Sequence, residues 1–149
     1  MSAIADAIQE KCLAFGDRII KLNDFLLKES ANKKPGYKMV NGKRVYEKPV
    51  PVYLQSVSAL CNQLLRSGTS IGANNAEATN AVSKTDYRAK SFIALKEARE
   101  SLYWIELLHR NNFINETQYN SIYADCEELV KILVARCKKI SGDIEKNDK

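Results

Sequence analysis

A chain of 149 residues, 45% of them hydrophobic, is the size of one domain with a real core and is short for two. No apolar run reaches the ~18 residues that a membrane span needs, and Asp6 and Glu10 sit inside an amphipathic N-terminal pattern that does not read as a secretory leader. The formal charge of +5 is concentrated in residues 31–50, where Lys33, Lys34, Lys38, Lys43, Arg44 and Lys48 stand against Glu47 alone, so the rest of the chain is neutral in sum.

Ser2 to Lys28 reads as helix one. Ile4, Ile8, Cys12, Phe15, Ile19, Leu22 and Leu26 recur at steps of three and four, with charges on the other faces. Gly16 is a weak point inside it, costing up to ~1 kcal/mol relative to alanine. The helical period then breaks over about 31–51, punctuated by Pro35–Gly36, Asn41–Gly42, Pro49 and Pro51. Within it, Tyr37–Val40, then Asn41–Gly42, then Lys43–Tyr46 reads as a small basic hairpin, because Asn-Gly suits a type I′ turn whose two central residues need positive φ. About 20 residues is long for a connection inside a compact bundle, which points to a functional or disordered insertion.

Val52 to about Ala81 reads as helix two, with Pro51 near its first turn. Its seam runs Leu54, Val57, Cys61, Leu64, Gly68, Ile71, Asn75, Ala78 and Val82, and its only charges are Arg66 and Glu77. The small residues in this run suit close approach by a neighbouring helix. Ser83–Asp86 is a capping box opening helix three, Lys84 to about Arg110, with Ser91, Leu95, Ala98, Leu102 and Ile105 as its seam. Asn111–Asn112 ends it. Asn115–Gln118 is a second capping box, and helix four follows on Tyr119, Ile122, Cys126, Leu129, Leu133, Cys137 and Ile140, with Gly142 as its stop and a frayed tail over about 142–149. The fold class is all-α: a single domain over 1–149, an up-down-up-down four-helix bundle with a basic hairpin-like insertion between helices one and two.

Lone charges on the apolar helix two need partners. If helices two and three are antiparallel about Ser83, Arg66 falls near Glu97 or Glu100 and Glu77 near Lys90 or Arg88. Either these are inter-helix ion pairs that set register, or Arg66 with Lys84, Arg88 and Lys90 lines a basic surface for phosphates. The aromatics Tyr87, Phe92, Tyr103, Trp104, Tyr119 and Tyr123 exceed what one core seam needs, so at least one of Tyr103 and Trp104 is expected to face outward. Such rings cover a core edge, build a protein interface or stack on single-stranded bases.

Little in the sequence points to catalysis, and an enzyme of the bundle class, metal-dependent or otherwise, is the remote second alternative. No phosphate-binding glycine loop or nucleophile elbow is present. Ser67 and Ser70 lie in a helical seam as packing residues, and His109, the only histidine, reads as a helix-end residue. A di-metal bundle draws ligands from several helices; no His-x-x-Glu or Glu-x-x-His pattern is read, and Glu97 and Glu100 have no matching pair on helix two, so neither metal nor cofactor is expected. Cys12, Cys61, Cys126 and Cys137 all sit in apolar positions without C-x-x-C spacing, the pattern of buried, reduced thiols in a cytoplasmic protein.

The run from Arg66 through Ser67, Gly68, Ser70, Gly72, Asn74 and Glu77, RSGTSIGANNAEA, followed by SKTDYRAKSFIALKEARESLYWIELL, resembles the signature of the four-helix-bundle family of 23S rRNA intervening-sequence proteins, whose relatives include accessory proteins of diversity-generating retroelements. The likeness is close over roughly Gln63 to Leu108. It implies a homo-oligomer, with a ring-like pentamer favoured, and in the retroelement branch contact with a reverse transcriptase and its template RNA. Two departures stand out: the 31–51 connection is longer than is usual in the family, and Asn75 stands where the family usually has an aliphatic residue.

The expected function is a non-catalytic, homo-oligomeric scaffold binding RNA or DNA through Lys33, Lys34, Lys38, Lys43, Arg44 and Lys48, with Arg88 and Lys90 as second candidates. The competing reading is an interaction or structural module with no nucleic-acid affinity.

Overall fold

The computed structural model describes residues 3–32, 36–46 and 50–147. In chain order they form α1 (Ala3–Asn32), a hairpin of β1 (Tyr37–Val40) and β2 (Lys43–Tyr46), α2 (Val50–Thr79), α3 (Lys84–Arg110) and α4 (Glu116–Asn147). Lys33, Lys34 and Lys48 lie outside the described residues.

Consecutive helices pack antiparallel. Between α1 and α2, Gln9 reaches Asn75, Cys12 meets Gly72 and Ile19 meets Gly68. Between α2 and α3, Arg66 pairs with Glu100, and Glu77 with Lys90. Between α3 and α4, the Cys126 thiol lies 3.4 Å from the Ala98 carbonyl. The pair α1–α4 is the loosest, and side chains bridge it: Lys11 to Glu128 at 2.9 Å, and Arg18 to Asp125 and Ser121.

The core is one continuous cluster running through Cys12, Phe15 and Ile19 of α1, Val57, Cys61, Leu64 and Ile71 of α2, Ala94, Ala98 and Ile105 of α3, and Cys126, Leu129 and Leu133 of α4. On α3 the buried face consists of Ser91, Ala94, Ala98, Ser101, Ile105 and Leu108. The expected seam residues Leu95 and Leu102 are only half-buried beside it. The helix is rotated so that its smallest residues meet the small-residue face of α2. There the buried Ser101 hydroxyl donates to the Ser67 hydroxyl at 2.9 Å, an approach that larger side chains would prevent. Two further seam expectations fail. Ile4 is 74% exposed in the first turn of α1, and Val82 is 93% exposed because α2 has already ended at Thr79.

The second capping box closes fully and the first only by half. The Ser83 hydroxyl accepts from the Asp86 amide at 3.1 Å, while Asp86 accepts from Val82 rather than from Ser83. Asn115 and Gln118 exchange reciprocal bonds of 2.9 Å. α3 closes at Asn111 and Asn112, the latter in the left-handed region at φ 57°.

The element limits differ from the sequence expectation at three ends. α1 continues four residues past Lys28, since no proline or glycine interrupts it there. α2 begins before Pro51, which a first helical turn tolerates because its missing N–H has no intrahelical acceptor. Gly142 does not stop α4, which runs on to Asn147; the residue does not take positive φ, and one glycine inside a long helix costs only ~1 kcal/mol.

Candidate nucleic-acid interface

The hairpin is antiparallel, with Tyr37 opposite Tyr46, Lys38 opposite Val45, Met39 opposite Arg44 and Val40 opposite Lys43. Asn41 at φ 51° and Gly42 at φ 75° make the turn that the Asn-Gly pair implies. Among the described residues no helix packs on either strand, and every side chain from Tyr37 to Val45 is exposed. This arm therefore presents Lys38, Lys43 and Arg44 to solvent together with the apolar Met39, Val40 and Val45. The Arg44 guanidinium sits over the Tyr37 ring, 4.8 Å from its centroid.

On α3 the two second candidates part company. Lys90 turns toward α2 and pairs with Glu77, which raises its pKa by hydrogen bond and charge. Arg88 points outward, its guanidinium 5.8 Å from the Phe92 ring centroid. Lys96 and Arg99, which the sequence reading did not single out, are exposed on the same outer face. Their recurrence with Phe92 and Tyr103 at helical steps was the available signal. Tyr103 is 57% exposed, whereas Trp104 is half-buried and donates from its indole N–H to Glu100 at 3.1 Å.

The residues of the sequence motif are structural in their placement. Arg66 joins Glu100 and lies 3.7 Å from Glu97, so the expected register pairing is present. Ser67 is fully buried against Ser101. A Cβ built on Gly68 would stand 3.0 Å from Ile19 Cγ1, and one on Gly72 3.3 Å from Cys12 Cβ, so both glycines permit the approach of α1. Asn74 donates to the Ser70 carbonyl at 2.9 Å within the helix. Asn75 is fully buried; it donates to Gln9 Oε1 at 2.6 Å and accepts from Arg136 at 2.8 Å, tying α1, α2 and α4 together.

Burial raises all four thiols, Cys12 and Cys61 to about 11 and Cys126 to about 12, so they are protonated and unreactive near neutral pH. Contrary to the expectation that no Glu-x-x-His pattern occurs, Glu106 and His109 have that spacing. Glu106 is held by Tyr119 at 2.7 Å and Arg110 at 2.6 Å, bonds that lower its pKa and push Tyr119 to about 12. His109 stacks on Tyr119 and lies 3.2 Å from Glu116. Among the described residues no group of three or more His, Cys, Asp or Glu side chains is placed to hold a metal ion. Nor, among them, is any helix long and apolar enough to cross a membrane.

The model of the family described as 23S rRNA-intervening sequence protein matches residues 43–135. None of the curated proteins matches the chain. Among solved structures, the chain is similar to a protein of unknown function from the S23 ribosomal protein family of Bacteroides thetaiotaomicron, with 37% identity over 90% of this chain and 97% of that one and a TM-score of 0.69. The described bundle and the match over more than half of the sequence agree with the motif reading: this chain belongs to the 23S rRNA-intervening sequence protein family.

Proposed function

We propose that the chain is a non-catalytic, homo-oligomeric four-helix-bundle scaffold that binds RNA or DNA through its basic surfaces, with a pentamer as the favoured assembly. The observation that carries this reading is the hairpin. Among the described residues no helix packs on this two-stranded ribbon, which is marginal by itself, and Lys38, Lys43 and Arg44 are exposed on it, where they can reach phosphates. Lys33, Lys34 and Lys48 belong to the same basic stretch of the sequence. Arg88 adds a cation elsewhere; Lys90 contributes less, since Glu77 neutralises it. The family's name, which refers to rRNA intervening sequences, agrees with an RNA ligand.

Binding of this kind is driven by release of condensed counterions, so it is weak per protomer, tolerant of sequence and steep in salt. An oligomer multiplies the surface and raises avidity wherever one strand spans several copies. The decisive experiment is fluorescence anisotropy of labelled RNA and DNA at several salt concentrations, with light scattering on the same samples. Wild-type protein is expected to bind at low salt, and Lys43→Glu/Arg44→Glu to weaken binding and flatten the salt slope at unchanged mass. Absence of binding by the wild-type oligomer at low salt overturns the nucleic-acid reading, and a monomer at tens of micromolar overturns the oligomeric one.

A specific observation favours the second reading, a protein-interaction module. Leu13 and Ile20 of α1, 54% and 51% exposed, border a shallow groove floored by Gly72, Ala73 and Ala76 of α2. This apolar surface suits a second copy of the chain or another protein. The retroelement resemblance makes a reverse transcriptase the protein partner to test first, by co-purification.

A further inference from the structure

The outer face of α3 carries a pattern of its own. Arg88, Phe92, Lys96, Arg99 and Tyr103 follow one another at helical steps of four, four, three and four, which places them on one stripe about 22 Å long. All five are exposed, Phe92 at 39% and Tyr103 at 57%. The rings stand about 16 Å apart along the helix, with Lys96 and Arg99 between them.

Among the described residues, no ion pair neutralises the charge on this stripe. Every acid of α3 is engaged elsewhere: Asp86 caps the helix, Glu97 and Glu100 face Arg66 of α2, and Glu106 is held by Arg110 and Tyr119. Arg88, Lys96 and Arg99 take part in none of the ion pairs among the described residues. The helix thus presents three cations outside these ion pairs and two exposed rings on the same side, with the Arg88 guanidinium 5.8 Å from the Phe92 centroid and the Tyr103 ring in edge contact with Trp104.

We infer that this stripe is a binding site for single-stranded nucleic acid, with Phe92 and Tyr103 stacking on bases and Arg88, Lys96 and Arg99 neutralising the phosphates between them. The inference rests on the nucleic-acid reading above and narrows it to single strands. Cations alone would attract duplex and single strand alike. The rings add a distinction, because a duplex keeps its base faces stacked inside and a single strand offers them. A convex helix face has no groove to read base edges, so the site takes many sequences.

The test is anisotropy with a labelled 15-nucleotide RNA, the same DNA sequence and the corresponding duplexes, with mass followed by light scattering. Phe92→Ala/Tyr103→Ala is expected to weaken single-strand binding by about fivefold or more while leaving duplex binding unchanged. Lys96→Gln/Arg99→Gln is expected to weaken both and flatten both salt slopes. A second readout is intrinsic: Trp104, the only tryptophan, has its ring 4.9 Å from that of Tyr103, so a single strand stacking there is expected to quench its fluorescence and a duplex to leave it unchanged. Equal losses on single and double strands in the Phe92/Tyr103 variant overturn the site. So does undiminished binding by the Phe92/Tyr103 variant while the Lys43/Arg44 variant loses it; the broader reading then stands on the hairpin alone. A fall in oligomer mass in the ring variant also overturns it, by making the stripe a contact between copies. No binding of any strand by wild-type protein removes the broader reading itself.

Discussion

Gly68→Leu tests how α1 and α2 meet. A Cβ at this position stands 3.0 Å from Ile19 Cγ1, 3.4 Å from Ile19 Cγ2 and 3.5 Å from Phe15 Cε1. Favourable carbon contacts begin at ~3.5 Å, so even alanine requires Ile19 to give by a few tenths of an ångström. Alanine also gains ~1 kcal/mol of helix propensity over glycine, and the two effects offset to leave Gly68→Ala near neutral. Leucine adds three more carbons into space held by Ile19 and Phe15, both buried. Overpacking of this kind costs ~1–3 kcal/mol or more, of which propensity recovers at most ~1. The expected net loss is ~1–2 kcal/mol, a fall in Tm of ~2–8 °C for a chain of this size. Gly16→Ala is the matched control: it lies in α1 with nothing within 4 Å of a built Cβ, so it is expected to gain ~1 kcal/mol and ~2–4 °C. Differential scanning calorimetry with matched denaturant melts reads both. If Gly68→Leu melts at or above the wild-type temperature, the close approach of α1 to α2 at this point is wrong.

Three further outcomes are expected. Asn75→Leu should destabilise the fold by ~1–3 kcal/mol in urea melts, because Gln9 and Arg136 lose their shared buried partner; adding Gln9→Leu and Arg136→Leu should recover part of that loss, and a triple variant weaker than the single would count against this account. Stability should fall as pH rises above about 9: the folded state holds the Cys12, Cys61 and Cys126 thiols protonated to about 11 or 12 while the unfolded chain releases those protons near 9, so each contributes a slope of up to ~1.4 kcal/mol per pH unit in that window, visible as a declining Tm between pH 8.5 and 10.5. Hydrogen exchange of Tyr37–Tyr46 should be fast in an isolated protomer, since among the described residues no helix packs on the hairpin, against slow exchange across the middle of α2 and α3; strong hairpin protection in a monomeric variant would contradict this expectation.

Local chemistry was legible in the residues themselves. The helical periods, the Ser83 and Asn115 N-caps and the Asn41–Gly42 turn each depend on a few neighbouring side chains, and all are present in the structure. The pairing of Arg66 with Glu100 and Glu77 with Lys90 was also legible, because a short turn at Ser83 makes antiparallel register a matter of arithmetic. Helix ends were less so. Gly142 and Pro51 signal a break in sequence, but each costs little where the neighbouring turns remain bonded, and the helices run through both.

Rotation about a helix axis was decided only by tertiary packing. The sequence placed Leu95 and Leu102 on the seam of α3, but the close contact of Ser101 with Ser67 turns the helix so that small residues face α2 and the leucines move to the edge. The same rotation sends Lys90 to Glu77 and leaves Arg88, Lys96 and Arg99 outward. Which cations are free for a ligand therefore depended on which carboxylates the neighbouring helices brought within reach. Sequence determined the helices, their order and the basic arm, because these follow from short-range bonding and periodicity. The charge left over on each face belongs to the assembled bundle, where every ion pair formed between helices removes a cation from the surface.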